Sequence, residues 1–118
     1  MNINIKANHG LELTEAIKNY TEKKIFEASK NFEKDIHINI ELEKISNHHV
    51  HGNVYKAEAR VSGSVNFIVS ELKNNLYAAI DGLKDKVENE MFSKHKKQRS
   101  IFKKIGQNFK DFLKNKIK

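Results

Sequence analysis

Residues 75–97, NLYAAIDGLKDKVENEMFSKHKK, combine an amphipathic helix with a cluster of positive charge. The apolar residues of this stretch recur every three or four positions, which places them on one side of a helix with about 3.6 residues per turn. These residues are Leu76, Ala79, Ile80, Leu83, Val87 and Met91. Asn74 or Asn75 can cap the first turn with its side-chain oxygen. The helix leads into the basic cluster, defined as Lys94, His95, Lys96, Lys97 and Arg99. A docked helix would hold this cluster in a fixed place, which favours binding of a polyanion.

Four other segments alternate apolar and polar residues with the two-residue period of a strand that has one buried face. They are residues 3–7, 36–42, 55–61 and 65–69. Ser62, Gly63 and Ser64 lie between the last two segments and predict a tight hairpin turn. A first helix is predicted to begin at Thr14, which can cap it, and to end near Phe32. Its apolar side is predicted to contain Leu13, Ile17, Tyr20, Ala28 and Phe32, with Ile25 at the edge and Phe26 pointing away.

The resulting element order is β-α-β-β-β-α, in the α+β class. Since each strand has one apolar face and both helices are amphipathic, the helices are expected to pack on one face of a four-stranded, largely antiparallel sheet. This domain is predicted to span residues 1–97. Residues 98–118 form a basic amphipathic tail, with apolar residues at helical spacing from Ile101 to Ile117. Because isolated helices of this length are marginal in water, the tail is expected to stay disordered or frayed until it contacts a surface.

The positive charge of the chain is concentrated at its C-terminal end. Residues 1–93 contain 12 Lys or Arg and 14 Asp or Glu, whereas residues 94–118 contain 10 Lys or Arg and one acidic residue. The formal net charge of +7 therefore comes from the last quarter, which indicates an anionic partner such as nucleic acid or a membrane surface. The chain has no cysteine and no apolar run of signal-peptide or membrane-spanning length, so a soluble cytoplasmic protein is expected.

No pattern in the sequence predicts an enzyme, a cofactor or a metal centre. His48, His49 and His51 share one predicted loop, but no further ligand at a recognised spacing completes a site, so a solvated hairpin tip is the favoured interpretation. Asp81 and Asp85 lie one helical turn apart among lysines and are interpreted as surface charge. The sequence contains no phosphate-binding glycine loop, nucleophile elbow or catalytic triad.

Tyr20 and Tyr77 are candidate stacking platforms for nucleic-acid bases. Both are expected to be packed instead, since Tyr20 lies on the apolar side of its helix and Tyr77 stands beside Leu76. The basic cluster is the stronger signal, because it contrasts with the acidic balance of the preceding residues and continues into the tail. Lysines that neutralise phosphates release counterions, which predicts salt-dependent binding that is largely indifferent to sequence. The residues alone therefore predict an RNA-binding domain.

Two stretches carry a resemblance to a known family. Residues 76–83, LYAAIDGL, are followed by Asp85-Lys86 and end in Lys94-His95-Lys96. Residues 12–17, ELTEAI, are followed in register by Lys24 and Phe32, and Glu43-Lys44 ends the second strand. Over about residues 2–97 the chain resembles the ribosome hibernation promoting factor and ribosome-associated inhibitor (protein Y) family.

The resemblance implies two parallel helices on a four-stranded sheet. It also implies binding to the small ribosomal subunit, in the channel otherwise occupied by messenger RNA and the anticodon arms of transfer RNA. Idle ribosomes would be silenced there by steric occlusion, without catalysis. The RNA contacts that it implies are Lys84, Lys86, Lys94, His95, Lys96 and Lys97, continued by Arg99. Lys23, Lys24 and Lys30 on the first helix are weaker candidates. The implied partner is ribosomal RNA, with messenger RNA and transfer RNA as competitors. For the tail, which the resemblance does not cover, contact with ribosomal RNA or ribosomal protein is the favoured interpretation.

The sequence also departs from the family. Many relatives carry Arg-Gln where this chain has Asn89-Glu90, with Glu88 just before, so negative charge lies near the proposed RNA-binding face. Ala7 replaces a glycine and Asn75 an aspartate. The tail resembles neither the dimerisation domain of long members nor the acidic end of protein Y. One alternative function is a general module for structured or double-stranded RNA. For the tail, an anionic membrane surface is an alternative ranked below ribosomal contact and disorder.

Overall fold

The structure, a computed structural model, describes residues 1–8, 10–32, 35–45 and 53–94. In chain order the elements are β1 (Asn2–Asn8), α1 (Glu15–Ser29), β2 (Ile36–Ile45), β3 (Val54–Gly63) and β4 (Phe67–Lys73). A second helix, α2, covers residues 76–94. The predicted α+β class and β-α-β-β-β-α order are confirmed. The predictions for the histidine loop, the basic cluster beyond Lys94, the domain boundary at residues 97 and 98, and the tail lie outside the described residues.

The four strands form one sheet in the order β1-β2-β3-β4. β1 and β2 are parallel, with Ile3 opposite Ile38, whereas β2 with β3 and β3 with β4 are antiparallel. The sheet is therefore mixed rather than largely antiparallel. The difference arises because α1 lies between β1 and β2 in the chain, and a helix that returns the chain to the starting end of the sheet makes the next strand parallel.

One hydrophobic core lies between the sheet and both helices. Every second residue of β2 from Ile36 to Leu42 is buried, as the alternating pattern predicts. The predicted apolar side of α2, from Leu76 to Met91, is buried throughout, which confirms that part of the prediction. The opposite face of the sheet carries polar side chains, including Asn4, whose amide donates to Asn39 Oδ1 at 3.3 Å.

α1 is rotated relative to the prediction. Ile25 is fully buried rather than at the edge of the apolar side, and Thr21 and Ser29 are buried with it. Each hydroxyl donates to the carbonyl oxygen one turn earlier, Thr21 to Ile17 at 2.7 Å and Ser29 to Ile25 at 2.8 Å. Because the backbone satisfies these hydroxyls, they can enter the core, and a pattern built on apolar residues alone misplaces the centre of the face. Phe26 points outward as predicted and is 52% exposed.

Both described helices are capped at their first turns. Thr14 Oγ1 accepts the backbone N–H of Ile17 at 3.2 Å, as predicted. At α2 the cap is Asn75 rather than Asn74, since Asn75 Oδ1 accepts two backbone N–H groups of the first turn at 2.9 and 3.2 Å. These bonds satisfy donors that have no partner within the helix.

The predicted turn after β3 is confirmed, and it requires Gly63. The φ angle of Gly63 is 114°, a conformation that side-chain-bearing residues rarely adopt. A Cβ at this position would also collide with the carbonyl oxygen of Asp35. The same carbonyl accepts the backbone N–H of Ser64 at 3.1 Å, which ties the turn to the start of β2.

Candidate nucleic-acid interface

The two helices lie side by side and run in the same direction. Tyr20 on α1 contacts Tyr77 and Asp81 on α2. Lys24, one turn later on α1, has its Nζ 3.9 Å from Asp81 Oδ1. The contacts move forward along both helices together, which agrees with the parallel arrangement that the resemblance implies. These four residues are called the helix seam below.

A hydrogen bond joins the helices at the seam. The Tyr20 hydroxyl donates to Asp81 Oδ1 at 2.5 Å. The two tyrosine rings meet edge to face, with centroids 4.9 Å apart and an interplanar angle of 82°. Because the carboxylate holds the phenolic proton and the ring is partly buried, the pKa of Tyr20 is raised to about 12. Lys24 Nζ lies 5.5 Å from the centroid of the Tyr20 ring, within cation–π range. Polar contacts therefore fasten the helices to each other above the apolar core.

The two seam tyrosines match the predictions only in part. Tyr20 packs against the core, as predicted. Tyr77 is 44% exposed, so the prediction that it is packed rather than exposed is wrong, although its ring contacts Tyr20. The position of Tyr77 at the start of α2, one residue after the buried Leu76, turns its ring toward the seam and leaves it half in solvent. The exposed part of the ring is accessible to a base or to a partner side chain.

Lys84 and Lys86 lie on different flanks of α2, because positions two apart on a helix differ by about 200°. Lys84 forms an ion pair with Glu88, with Nζ 3.0 Å from Oε2, and this hydrogen bond raises the pKa of Lys84. Lys86 reaches β4, where its Nζ donates to the backbone oxygen of Ser70 at 2.7 Å and lies 3.4 Å from Glu71 Oε2. The structure thus does not bring these two predicted RNA contacts into one patch.

The predicted contacts on α1 also differ in their environment. Lys23 and Lys30 are exposed, and they lie two turns apart on the same side of the helix. None of the ion pairs between described residues involves either of them. Lys24 is instead held at the seam by Asp81.

Lys94, the last described residue of α2, is half-buried. It follows Met91 by three positions, so it lies on the side of the helix that faces the core. A lysine in this position can lay its methylene stem along apolar surface and keep its ammonium group in water. The remaining predicted contacts, His95, Lys96, Lys97 and Arg99, lie outside the described residues.

Acidic side chains share the outer surface of the helices with these lysines. Asp81 and Glu88 each bind a lysine that is a predicted RNA contact, Lys24 and Lys84 respectively. Glu88, which immediately precedes Asn89-Glu90, is thus the ion-pair partner of Lys84. Exposed ion pairs contribute little to stability, so a phosphate group can replace Glu88 at Lys84 without a large penalty.

The Tyr20–Asp81 hydrogen bond and the attachment of Lys86 to β4 are not predicted from the sequence. Asp81 has the sequence context of ordinary surface charge, and no local pattern links residues that are 61 positions apart. The parallel helices implied by the resemblance, together with Tyr20 on the inner side of α1, are the signal that could have placed Tyr20 beside the start of α2. No comparable signal exists for Lys86, because its contacts depend on how α2 lies along the edge of the sheet.

The part of the chain that the structure describes offers no cluster of three or more His, Asp or Glu side chains that could hold a metal ion. In that same part, neither helix has the length and apolar character needed to cross a bilayer.

Comparisons with known proteins give two kinds of similarity. Residues 3–100 match the protein family described as Sigma 54 modulation protein / S30EA ribosomal protein. Among solved structures, the N-terminal domain of Protein Y from Thermus thermophilus is similar at 28% sequence identity, with a TM-score of 0.65, over 77% of this chain and 96% of that chain. A ribosomal subunit interface protein from Coxiella burnetii has 22% identity and a TM-score of 0.59, over 81% of this chain and 98% of that chain, and supports the fold alone. No curated protein is similar enough to be matched.

Proposed function

The chain belongs to the Sigma 54 modulation protein / S30EA ribosomal protein family, and we propose on this basis that it acts as a ribosome hibernation factor. In this proposal it binds the small ribosomal subunit, occupies the channel of messenger RNA and transfer RNA anticodon arms, and silences idle ribosomes by occlusion. The observation that carries the proposal is the family match over residues 3–100, which includes the sheet, both helices and the basic cluster.

Occlusion requires a body that keeps its shape when it contacts RNA, and the helix layer meets this requirement. The inner side of α2 is buried from Leu76 to Met91. The first turn of α2 is capped by Asn75, and the Tyr20–Asp81 hydrogen bond fixes α1 beside it. The backbone positions of the lysines on these helices are therefore fixed, so binding has to order only their side chains and not the chain that carries them.

Apart from Lys86 and from Lys24, which is held by Asp81, the proposed phosphate contacts fall into three groups. Lys23 and Lys30 are exposed on α1 and need no rearrangement. Lys84 exchanges Glu88 for a phosphate group. Lys94 begins the basic cluster, which continues through His95, Lys96, Lys97 and Arg99. Lys86 would have to leave both Ser70 and Glu71, so it is the weakest contact of the predicted set.

The anchoring role of the basic cluster is tested by replacing Lys94, Lys96 and Lys97 with alanine. We expect weaker binding to vacant small subunits, and the slope of log affinity against log salt should become shallower by about 1 for each lysine that no longer neutralises a phosphate. The matched control replaces Lys6, Lys56 and Arg60, which lie on the face of the sheet opposite the helices and remove the same charge. Unchanged binding of the cluster variant, or an equal reduction in the control, would contradict the assignment.

A general binder of structured RNA is the alternative function, and the exposed Lys23 and Lys30 on α1 are compatible with it. The two functions differ in their preferred ligand. A general binder has similar affinity for a naked RNA duplex and for vacant small subunits at the same salt concentration. A hibernation factor prefers the small subunit, because the shape of the channel and not only its phosphate density contributes to binding.

A further inference from the structure

β4 is the last strand of the sheet, so one of its edges is not paired with another described strand. Two side-chain contacts show which backbone groups face that edge. The N–H of Leu72 donates to Glu71 Oε1 at 3.3 Å, and the carbonyl oxygen of Ser70 accepts from Lys86 Nζ at 2.7 Å. Since the N–H and C=O groups of alternate residues point to the same side of a strand, Ile68, Ser70 and Leu72 direct their backbone groups away from β3. Such an edge is a template for another strand.

Glu71 and Lys86 cover this edge with opposite charges. Glu71 accepts a backbone N–H, Lys86 donates to a backbone C=O, and Lys86 Nζ lies 3.4 Å from Glu71 Oε2. This arrangement is called the edge clamp below. Gly82 on α2 makes room for it, because a Cβ there would lie 2.7 Å from Glu71 Cγ and 2.9 Å from Glu71 Oε2. The clamp therefore occupies one donor and one acceptor that an incoming strand would otherwise pair.

The outer face of β4 is complementary to a second copy of the same strand. Ile68 and Leu72 are 60% and 54% exposed, and they lie two positions before and two positions after Ser70. If two copies of β4 pair antiparallel about a two-fold axis through Ser70, Ile68 of each copy lies opposite Leu72 of the other. The four exposed apolar side chains then form two cross-strand Ile–Leu pairs, one on each side of the axis, on one face of a continuous sheet. An unrelated strand would need a matching apolar spacing, whereas a second copy has it by symmetry.

We propose that the free edge of β4 is a pairing surface for a second copy of this chain, and that the edge clamp keeps it closed. A charged residue at position 68 or 72 would close the edge permanently, as is common on edge strands. This chain instead keeps apolar residues at both positions and closes the edge with a side chain from α2. Because one of the two closing groups is a flexible lysine, the Ser70 carbonyl becomes available to a second strand when Lys86 leaves it, and only the Glu71 contact with the Leu72 N–H then remains to be broken.

The proposal is tested by opening the clamp in two independent ways in the full chain. Lys86→Met removes the ammonium group and keeps the stem, while Gly82→Ala displaces Glu71 without any change of charge. Both variants should self-associate about tenfold or more tightly than the native chain, since each removes one of the two backbone hydrogen bonds of the clamp, which then no longer has to be broken. Lys84→Met removes the same charge from the other flank of α2, away from Ser70 and Glu71, and should self-associate no more tightly than the native chain. Sedimentation equilibrium over a range of protein concentrations measures the difference.

The pairing geometry is tested by cross-linking, because the chain has no native cysteine. Ser70→Cys combined with Lys86→Met should form a disulfide-linked dimer, since opposed hydrogen-bonded residues of antiparallel strands have Cα atoms about 5.5 Å apart, within disulfide range. Ser62→Cys in the same background, exposed on β3, should cross-link far more slowly. Adding Leu72→Lys to Lys86→Met should restore the monomer.

Three results would overturn the proposal. The first is that Lys86→Met and Gly82→Ala both keep a native circular dichroism spectrum and both stay monomeric at the highest soluble concentration. The second is that the native chain dimerises as tightly as the variants, because the clamp would then not hinder pairing of the β4 edge. The third is a dimer that cross-links as fast through position 62 as through position 70, because pairing would then not run along β4.

Discussion

Removal of the Tyr20 hydroxyl is expected to weaken the attachment of α1 to α2 without disturbing the core. Tyr20→Phe keeps the ring that meets Tyr77 edge to face and removes only the hydrogen bond to Asp81. Hydrogen bonds to charged groups contribute about 1.5–3 kcal/mol net. Because the Asp81 side chain is 51% exposed, water competes for its oxygens, and we expect a smaller loss of about 1 kcal/mol. For a domain of this size that loss corresponds to a decrease of about 4–8 °C in Tm.

The assay is a double-mutant cycle in urea. Tyr20→Phe, Asp81→Ala and the double variant are unfolded at pH 7, and the coupling free energy is expected to be about 1 kcal/mol. Tyr77→Phe is the matched control, because the Tyr77 hydroxyl forms no hydrogen bond with another described residue, and its free energy of unfolding should change by less than about 0.5 kcal/mol. A coupling free energy of zero would refute the role assigned to the seam hydrogen bond.

The same hydrogen bond predicts a pH dependence of stability. The pKa of Tyr20 is raised to about 12 in the folded chain, above the value of about 10 expected for an unfolded chain. The stability that the neutral hydroxyl contributes is therefore fully present below about pH 10 and is lost as the pH rises through about 12. The difference in free energy of unfolding between the native chain and Tyr20→Phe should shrink across that interval. A difference that stays constant up to pH 12 would contradict the assigned pKa.

Three further substitutions, two of them paired with a control, test the turn between β3 and β4 and the attachment of α2 to the sheet. Gly63→Ala should lower the free energy of unfolding, measured in urea, by at least about 2 kcal/mol, because it combines a positive φ with a collision against the backbone. Its control, Gly10→Ala, has a φ of 77° but open space around it, and should lower the free energy of unfolding by about 1 kcal/mol. Asn75→Ala should lower stability by about 1 kcal/mol through loss of the α2 cap, and Asn74→Ala should leave it unchanged in thermal unfolding. Leu83→Ala truncates a fully buried side chain and should lower the free energy of unfolding, measured by chemical denaturation, by about 3 kcal/mol. A decrease of less than about 1 kcal/mol would contradict the packing of α2 against the sheet.

Much of this fold is predictable because the buried apolar residues of a strand or helix recur at a regular, short spacing in the sequence. The alternation from Ile36 to Leu42 identifies β2, and the three- and four-residue spacing from Leu76 to Met91 identifies the inner side of α2. Thr14 can be assigned as a cap for a similar reason, since its partner Ile17 is only three positions away. In each case the residues that decide the structure are close together in the chain.

The remaining features depend on contacts that no local pattern of apolar residues encodes. Apolar spacing puts Ile25 at the edge of its helix because Thr21 and Ser29 count as polar, although their hydroxyls are satisfied by the helix backbone and enter the core. The parallel pairing of β1 with β2 follows from the crossover through α1 and not from the pattern of either strand.

The candidate site is less predictable than the fold for the same reason. Lys84 and Lys86 look equivalent in the sequence, yet one pairs with Glu88 on its own helix and the other covers the edge of β4. Their environments follow from the rotation of α2 about its axis, which sends two neighbouring lysines to opposite flanks. Sequence can therefore nominate the lysines of a basic surface, but the packing of the helix decides which of them remain available to phosphate.

The proposed occlusion of the decoding channel is tested most directly by comparing vacant and loaded small ribosomal subunits. The affinity of the full chain is measured for vacant subunits and for subunits carrying messenger RNA and transfer RNA, at the same salt concentration. We expect binding to the vacant subunits, near absence of binding to the loaded ones, and release of bound protein when transfer RNA is added. Equal affinity for vacant and loaded subunits would contradict the proposed mechanism.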